Sequence, residues 1–258
     1  MNMAIDEAMA AVFVKDKMPP TLRLYQWESP ALTLGAFQKD DETLRHFLEA
    51  NAVRPLRPVT PLRRITGGQA LLHDRDLTYS IIASTHDPLF SGGIKKTFYA
   101  IAQGLLGGLT HLGIHAEIHT PMRDATSSRD RSPFCASSLS WYEISVDGKK
   151  LIGSAQKRWP DHFLQHGSLA IRRSPLEQGF YGEQSITLYD LMTRLPASSE
   201  IQDAMEVGFE TALMIRLERG SLTPEEKQIA DHLVTEKYNN VDFEAMRRVD
   251  SCGQKQLH

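Results

Sequence analysis

The sequence predicts an α/β (α+β) fold, a single domain of mixed, mostly antiparallel sheets flanked by helices. Three observations carry that prediction. Short strand-like runs bounded by Gly, Pro, Asp and Ser recur through the first two thirds of the chain. Asp147-Gly148 sits between two of them as the strongest hairpin signal, and the last third turns to helical periodicity. No internal repeat, low-complexity tract or Gly/Ser linker divides the 258 residues, so one domain is expected over 1–238, followed by a loose tail over 239–258.

MNMAIDEAMAAVF reads as an amphipathic helix, with Met3, Ile5, Met9 and Phe13 spaced for one face. TLRLYQW and ALTLGAF are short strands parted by Glu28-Ser29-Pro30, and DDETLRHFLEANA is a helix whose acidic first turn suits the helix dipole. RPLRPVTPLRRITGG combines arginines, prolines and a Gly-Gly, a composition that resists helix and predicts a loop feeding the strand QALLH. LLH and LTYSIIAS flank Asp74-Arg75-Asp76 and predict an antiparallel hairpin. SGGIKKTFYAIAQGLLGGLTHL then forms a helix stopped at Gly113, and IHAEI a strand. WYEISV and KKLIGSAQ pair across Asp147-Gly148, and FLQHGSLAI, beyond Trp159-Pro160, adds a third strand. SITLYDLMTR, SEIQDAMEVGFETALMIRLE and TPEEKQIADHLVTEKY are helices, the last started by the Thr223 cap and by Pro224 in its first turn.

Lys and Arg number 29 against 32 Asp and Glu, so the net charge of −3 supplies no field that would argue for nucleic acid or a membrane surface. The two cysteines, Cys135 and Cys252, form neither a metal-ligand spacing nor a disulfide framework and are expected as reduced thiols in a cytoplasmic protein. Asp6 and Glu7 stand where a secretion signal needs positive charge, and no apolar run reaches membrane-spanning length. A domain of this size has no evident need for a partner subunit, so a monomer is expected.

Several clusters have a simple structural reading. His111, His115 and His119 straddle Gly113, beyond which the apolar period is two; His115 and His119 then lie roughly 13 Å apart along a strand, too far to share an ion. Asp74 and Asp76 read as a polar turn, and Ser91-Gly92-Gly93 as an ordinary helix cap. RRITGGQALLHD is more informative, because arginines meet paired glycines where a ligand could approach the backbone; a tight surface turn explains it equally well. A two-residue turn at Asp147-Gly148 would set Val146 opposite Lys149, Ser145 opposite Lys150, Ile144 opposite Leu151 and Tyr142 opposite Gly153. Lys150, Ile152 and Ser154 would then share one face, and Lys149, Leu151 and Gly153 the other. The small side chains of Gly153, Ser154 and Ala155 leave room for a ligand chain or permit tight packing. A lone cysteine such as Cys135 is ordinarily a small buried hydrophobe, unless a nearby ammonium favours the thiolate.

Taken in order, RRITGGQALLHD, LTYS, DGKKLIGSAQ and QHGS resemble the lipoate-protein ligase and octanoyltransferase superfamily, a relative of biotin protein ligase, from NMAIDEA to the TPEEK…EKY helix. The chain is most similar to the octanoyltransferases typified by Gram-positive bacteria, whose cysteine precedes a Trp/Tyr-Tyr-Glu strand and lies fifteen residues before the motif lysine; Cys135, Trp141-Tyr142-Glu143 and Lys150 match that pattern. Ala136 replaces the usual aromatic after the cysteine, and Gln69 replaces the third glycine of ATP-using ligases. The start inside the usual first helix and the lack of the ligases' separate C-terminal domain are further expected departures.

The resemblance implies a biotin/lipoate protein ligase-like fold and an acyltransferase. Cys135 would be the acyl-thioester nucleophile and Lys150 the residue that lowers its pKa. Arg64, Gly67, Gly68, Ala70, His73, Gly153, Ser154, Ala155, His166 and Gly167 would line the pocket. The implied donor is octanoyl-acyl carrier protein, and the implied acceptors are lipoyl-domain proteins such as the glycine cleavage H protein and 2-oxoacid dehydrogenase subunits. No cofactor or metal is implied, ATP and magnesium entering only if the chain is instead a lipoate ligase. An amidotransferase between lipoyl domains would share the same nucleophile.

Overall fold

In a computed structural model, the structure describes residues 1–13, 18–39, 41–52, 58–119, 142–176 and 184–239. Cys135, Cys252 and the predicted tail beyond Asn239 lie outside them.

Two sheets organise the domain. The larger has six strands, all antiparallel: β1 (Thr21–Tyr25), β5 (Asp76–Ser84), β9 (His162–Ala170), β8 (Lys149–Arg158), β7 (Ile144–Val146) and β6 (Glu117–Ile118), in that spatial order. The smaller sets β2 (Ala31–Leu34) between β3 (Thr60–Arg63), which runs parallel to it, and β4 (Leu71–His73), which runs antiparallel. The expected mixed, mostly antiparallel architecture is what forms.

Side-chain alternation gives the large sheet two unlike faces. Leu77, Tyr79, Ile81, Ala83, Phe163 and Leu169 form an apolar face against α3 (Ile94–His111) and α5 (Ser198–Leu213). Those helices touch backbone to backbone, because a Cβ on Gly208 would collide with the main chain of Gly108. The opposite face carries Asp76, Thr78, Ser80, His166 and Ser168. Over it lie α1 (Asn2–Phe13), whose Met9, Ala10 and Phe13 pack on Ile82 and Leu164, and the small sheet. The small sheet's outer side, Leu32, Leu34 and Leu72, is covered by Leu44 and Leu48 of α2 (Glu42–Ala52).

Four expectations need correction. The arginine- and proline-rich segment is not wholly loop: Thr60–Arg63 forms β3, and Pro61 is tolerated because β3 is an edge strand. LLH and LTYSIIAS do not form a hairpin, since β4 joins β2 while β5 joins β1 and β9, so Asp74-Arg75 carries the chain between sheets. Nor is Asp76 a solvated turn residue. It is buried, and its carboxylate accepts from His73, Thr78 and Ser168. The hairpin at Asp147-Gly148 forms, but a bulge pairs Ile144 with Ile152 rather than Leu151.

The helical third is shorter than expected. SITLYDLMTR keeps only α4 (Leu188–Leu191), capped by Thr187 and Asp190, and α5 stops where Met214 turns left-handed at φ 53°. The last helix, α6 (Pro224–Leu233), starts with the expected Thr223 cap, reciprocated by Glu226, and runs into a π-helical turn over Val234–Tyr238. Gly113, at φ 78°, ends α3 as expected. IHAEI contributes only Glu117–Ile118. No helix of the described residues is long and apolar enough to cross a membrane, and no group of three metal-ligating side chains occurs among them.

Candidate active site

The segment from Arg64 to Gln69 is a turn fixed from every side. Arg64 N–H donates to Leu34 O at 3.0 Å and Ala36 N–H to Thr66 O at 2.8 Å, so the chain follows β2 beyond the end of the ladder. Gly68 takes φ 91°, and its carbonyl rests directly on Gly35, where a Cβ would collide with it. The Arg64 guanidinium closes the turn from within. Its Nη2 donates to Gly67 O at 2.9 Å and Gln69 O at 2.8 Å, and its Nη1 to Thr33 O at 2.8 Å and Thr33 Oγ1 at 2.9 Å.

Two buried hydrogen-bond chains run from this turn to carboxylates. In one, Thr66 Oγ1 lies 2.6 Å from His166 Nε2, whose Nδ1 lies 3.4 Å from Asp6 Oδ2. In the other, Arg64 reaches Thr33 Oγ1, which lies 3.0 Å from His73 Nε2, and His73 Nδ1 lies 2.7 Å from Asp76 Oδ2. Trp27 stacks on His73 with ring centroids 4.3 Å apart. Burial alone would raise Asp6, but the His166 hydrogen bond, the Arg23 guanidinium and the Ser80 hydroxyl outweigh it and hold its pKa below the usual carboxylate value. Burial would likewise raise Asp76, and His73, Ser168 and Thr78 overcome it. Burial lowers His166, with Asp6 opposing, so the imidazole is neutral near pH 7.

Beyond Ala155 on the same face stands Lys150. The turn approaches β8 there, a Cβ at Gly68 lying 3.8 Å from that of Ala155. The Lys150 ammonium is buried and ion-paired with Glu143. Its side chain crosses Gly153 so closely that a Cβ there would lie 2.7 Å from Cε and 3.0 Å from Nζ. The bulge accounts for this: an extra residue on β8 resets the alternation, and Lys150 shares the face of Gly153 and Ala155 instead of opposing them. Its backbone, past the end of the β9 pairing, bonds to Gln184 O and Ile186 N at 2.8 and 2.9 Å. A cleft of about 560 Å³ opens beside the turn, lined among others by Phe37, Arg64, Gly67, Lys157 and Lys237.

Residues 1–178 match the lipoyl protein ligase A/B catalytic domain family. The chain belongs to that family. Among curated relatives, it is 37% identical over 251 residues to octanoyltransferase LipM of Kyrpidia tusciae, covering 90% of each chain. It is 36% identical over 258 residues to octanoyltransferase LipM of Carboxydothermus hydrogenoformans, covering 94% of this chain and 93% of that one. Of solved structures, lipoate-protein ligase A bound with ATP superposes with a TM-score of 0.72 at 22% identity, over 92% of this chain and 90% of that one. Protein Ta0514 of T. acidophilum with bound lipoic acid gives 0.71 at 22% identity, over 93% and 91%. These two establish the lipoate-ligase fold.

Within this lipoyl ligase family member, the expected pocket residues divide by role. Gly67 lines the cleft, Gly68 approaches Ala155, and Lys150 lies across Gly153, two residues before Ala155 on the same face of β8. Arg64, His73 and His166 stand behind it as its supports, with their donors and acceptors already engaged by protein groups. Ala70 is packed in the small sheet's core. Ser154 and Gly167 lie on the other face of the large sheet, and the bulge corrects the expectation that Ser154 shares a face with Lys150. Ser154 Oγ is 2.6 Å from the hydroxyl of Tyr79, whose pKa burial raises to about 12, and a Cβ on Gly167 would strike that ring. Cys135 lies outside the described residues.

Sequence reasoning missed Asp6, Thr66, Gly35 and the pairing of Glu143 with Lys150. Asp6 did carry a signal, since it falls three residues from both Met3 and Met9 and so sits in the helix's apolar stripe. Glu143 carried one too, since the simple hairpin register sets it opposite Ile152, on the face of Lys150 and diagonal to it.

Proposed function

We propose that the protein is an octanoyltransferase of lipoate biosynthesis, moving octanoyl from octanoyl-acyl carrier protein to a lysine of a lipoyl domain through a thioester on Cys135. The observation that carries this reading is the run of relatives named octanoyltransferase that span nine tenths of both chains. The Cys135–Lys150 spacing and the placement of Lys150 over Gly153, on the β8 face that the glycine turn approaches at Ala155, support it further.

In the first step the Cys135 thiolate attacks the thioester carbonyl. A new C–S bond forms, the carrier's C–S bond breaks, and its thiolate leaves to be protonated. In the second, an acceptor lysine amine attacks the octanoyl-cysteine; a C–N bond forms, the C–S bond breaks, and Cys135 departs as thiolate while the amine proton passes to solvent. Lys150 is the cation that would hold the thiolate and steady the developing oxyanion, with backbone N–H groups of the turn as further donors. Both substrates are already activated or nucleophilic, so neither step calls for ATP or a metal. The acceptors that fit are the glycine cleavage H protein and the lipoyl-bearing subunits of 2-oxoacid dehydrogenases, modified by a monomeric enzyme in the cytoplasm.

The test is intact mass after incubation with octanoyl carrier protein without ATP. An octanoyl adduct that disappears in Cys135→Ala is expected. No adduct, together with ATP-dependent modification of a lipoyl domain by Cys135→Ala, would replace this reading with a ligase.

A further inference from the structure

Asp6 sits in the first helix, away from the groups assigned to the reaction, yet four polar groups of the described residues converge on its carboxylate. Its Oδ1 accepts from Arg23 Nη1 and Ser80 Oγ, each at 2.8 Å; its Oδ2 accepts from Tyr25 O–H at 2.8 Å and faces His166 Nδ1 at 3.4 Å. An ionised carboxylate can only accept, so Nδ1 of His166 carries the ring proton and Nε2 the lone pair. Nε2 must then accept the Thr66 hydroxyl 2.6 Å away, which fixes a residue of the turn that approaches Ala155.

We propose that Asp6 is a positioning residue for the acyl-transfer site: it sets the tautomer of His166, and His166 in turn anchors the glycine turn through Thr66. This rests on reading that turn as part of the transfer site. Asp6 itself touches no reacting group.

Asp6→Asn in the full chain separates the tautomer from simple loss of packing, because the two side chains have the same shape. Arg23 cannot accept a hydrogen bond, so the amide oxygen must face it and the NH₂ must face Tyr25 and His166. Nδ1 then has to present a lone pair, the proton moves to Nε2, and the bond to Thr66 reverses. Nitrogen-15 NMR of the histidine rings should report His166 as Nδ1–H in the native protein and Nε2–H in Asp6→Asn.

Octanoyl-thioester formation should slow about tenfold or more in Asp6→Asn, the scale on which small misplacements at a reacting centre act. Thr66→Val should show the same loss with the His166 tautomer unchanged, while Thr66→Ser retains the native rate. Persistence of Nδ1–H in Asp6→Asn, or Thr66→Val acylating at the native rate, would overturn the assignment. If Asp6→Asn does not fold, the two Thr66 variants decide. If the native protein takes no octanoyl group, the transferase reading fails, and amide exchange at Gly67 and Gly68 still judges the anchor: faster exchange in Thr66→Val is expected, and unchanged exchange would refute it.

Discussion

Lys150 and Glu143 form a buried ion pair, and such pairs owe less to net stability than to the cost of leaving either member alone. Replacing Lys150 by Met should therefore destabilise the fold by about 3–5 kcal/mol. Lys150→Met with Glu143→Leu should recover most of that loss, as read from urea midpoints. Thioester formation should stay absent in both, because recovered packing brings back no cation. A double variant that regains activity along with stability would show Lys150 to be structural. At this scale spacing alone misplaced Lys150, because the bulge puts it on the face of Gly153 rather than that of Ser154, and burial was illegible. The sequence does not show that Thr33, Thr66, Asp6 and Asp76 engage Arg64, His73 and His166, because those contacts join separate segments of the chain.

Among the elements, the β8 bulge and the Arg64–Gln69 turn matter most. Without the bulge, Lys150 would point to the Tyr79 face and the site would have no cation beside Gly153. The turn depends on Gly35, whose missing side chain lets the Gly68 carbonyl settle on its Cα. Gly35→Ala should displace the turn, costing about 1–3 kcal/mol of stability as overpacking and about a hundredfold in acylation rate. Denaturant titration alongside single-turnover acylation would check this, and a fully active Gly35→Ala would contradict it. Long periodic elements were legible: α1, α3, the capped start of α6, β8 and β9 form where their patterns place them. Partner choice was not. β4 turns from β5 to β2 because Asp76 is drawn inward by His73, Thr78 and Ser168, and no local pattern announces that.

Across the whole molecule, the buried polar layer between the large sheet and its cover ties stability to pH. Folded His166 titrates below its ordinary 6.5 because it is buried, so the unfolded chain binds its proton first as pH falls. Stability from His166 is thus complete above that value and declines below it. Asp6 and Asp76 titrate below their ordinary 3.8, so their contribution is present above that value and is lost as pH falls through their folded pKa values. Calorimetric unfolding between pH 8 and pH 3 should show little change from these groups at the alkaline end and a decline beginning near neutrality. In Asp6→Asn the step that belongs to Asp6 should vanish. The mixed, mostly antiparallel fold was foreseeable from the recurring strand and turn signals, whereas the stacking of α1 and the small sheet over one polar face was not, since it depends on contacts between segments up to 160 residues apart.

In the proposed transfer, Lys150 keeps the Cys135 sulfur ionised. In a Cys252→Ser background, the pH dependence of iodoacetamide alkylation at Cys135 measures this directly. A midpoint well below the ordinary thiol value of about 8.5 is expected, moving back up in Lys150→Gln. A midpoint near 8.5 that Lys150→Gln leaves unmoved would contradict this role of Lys150.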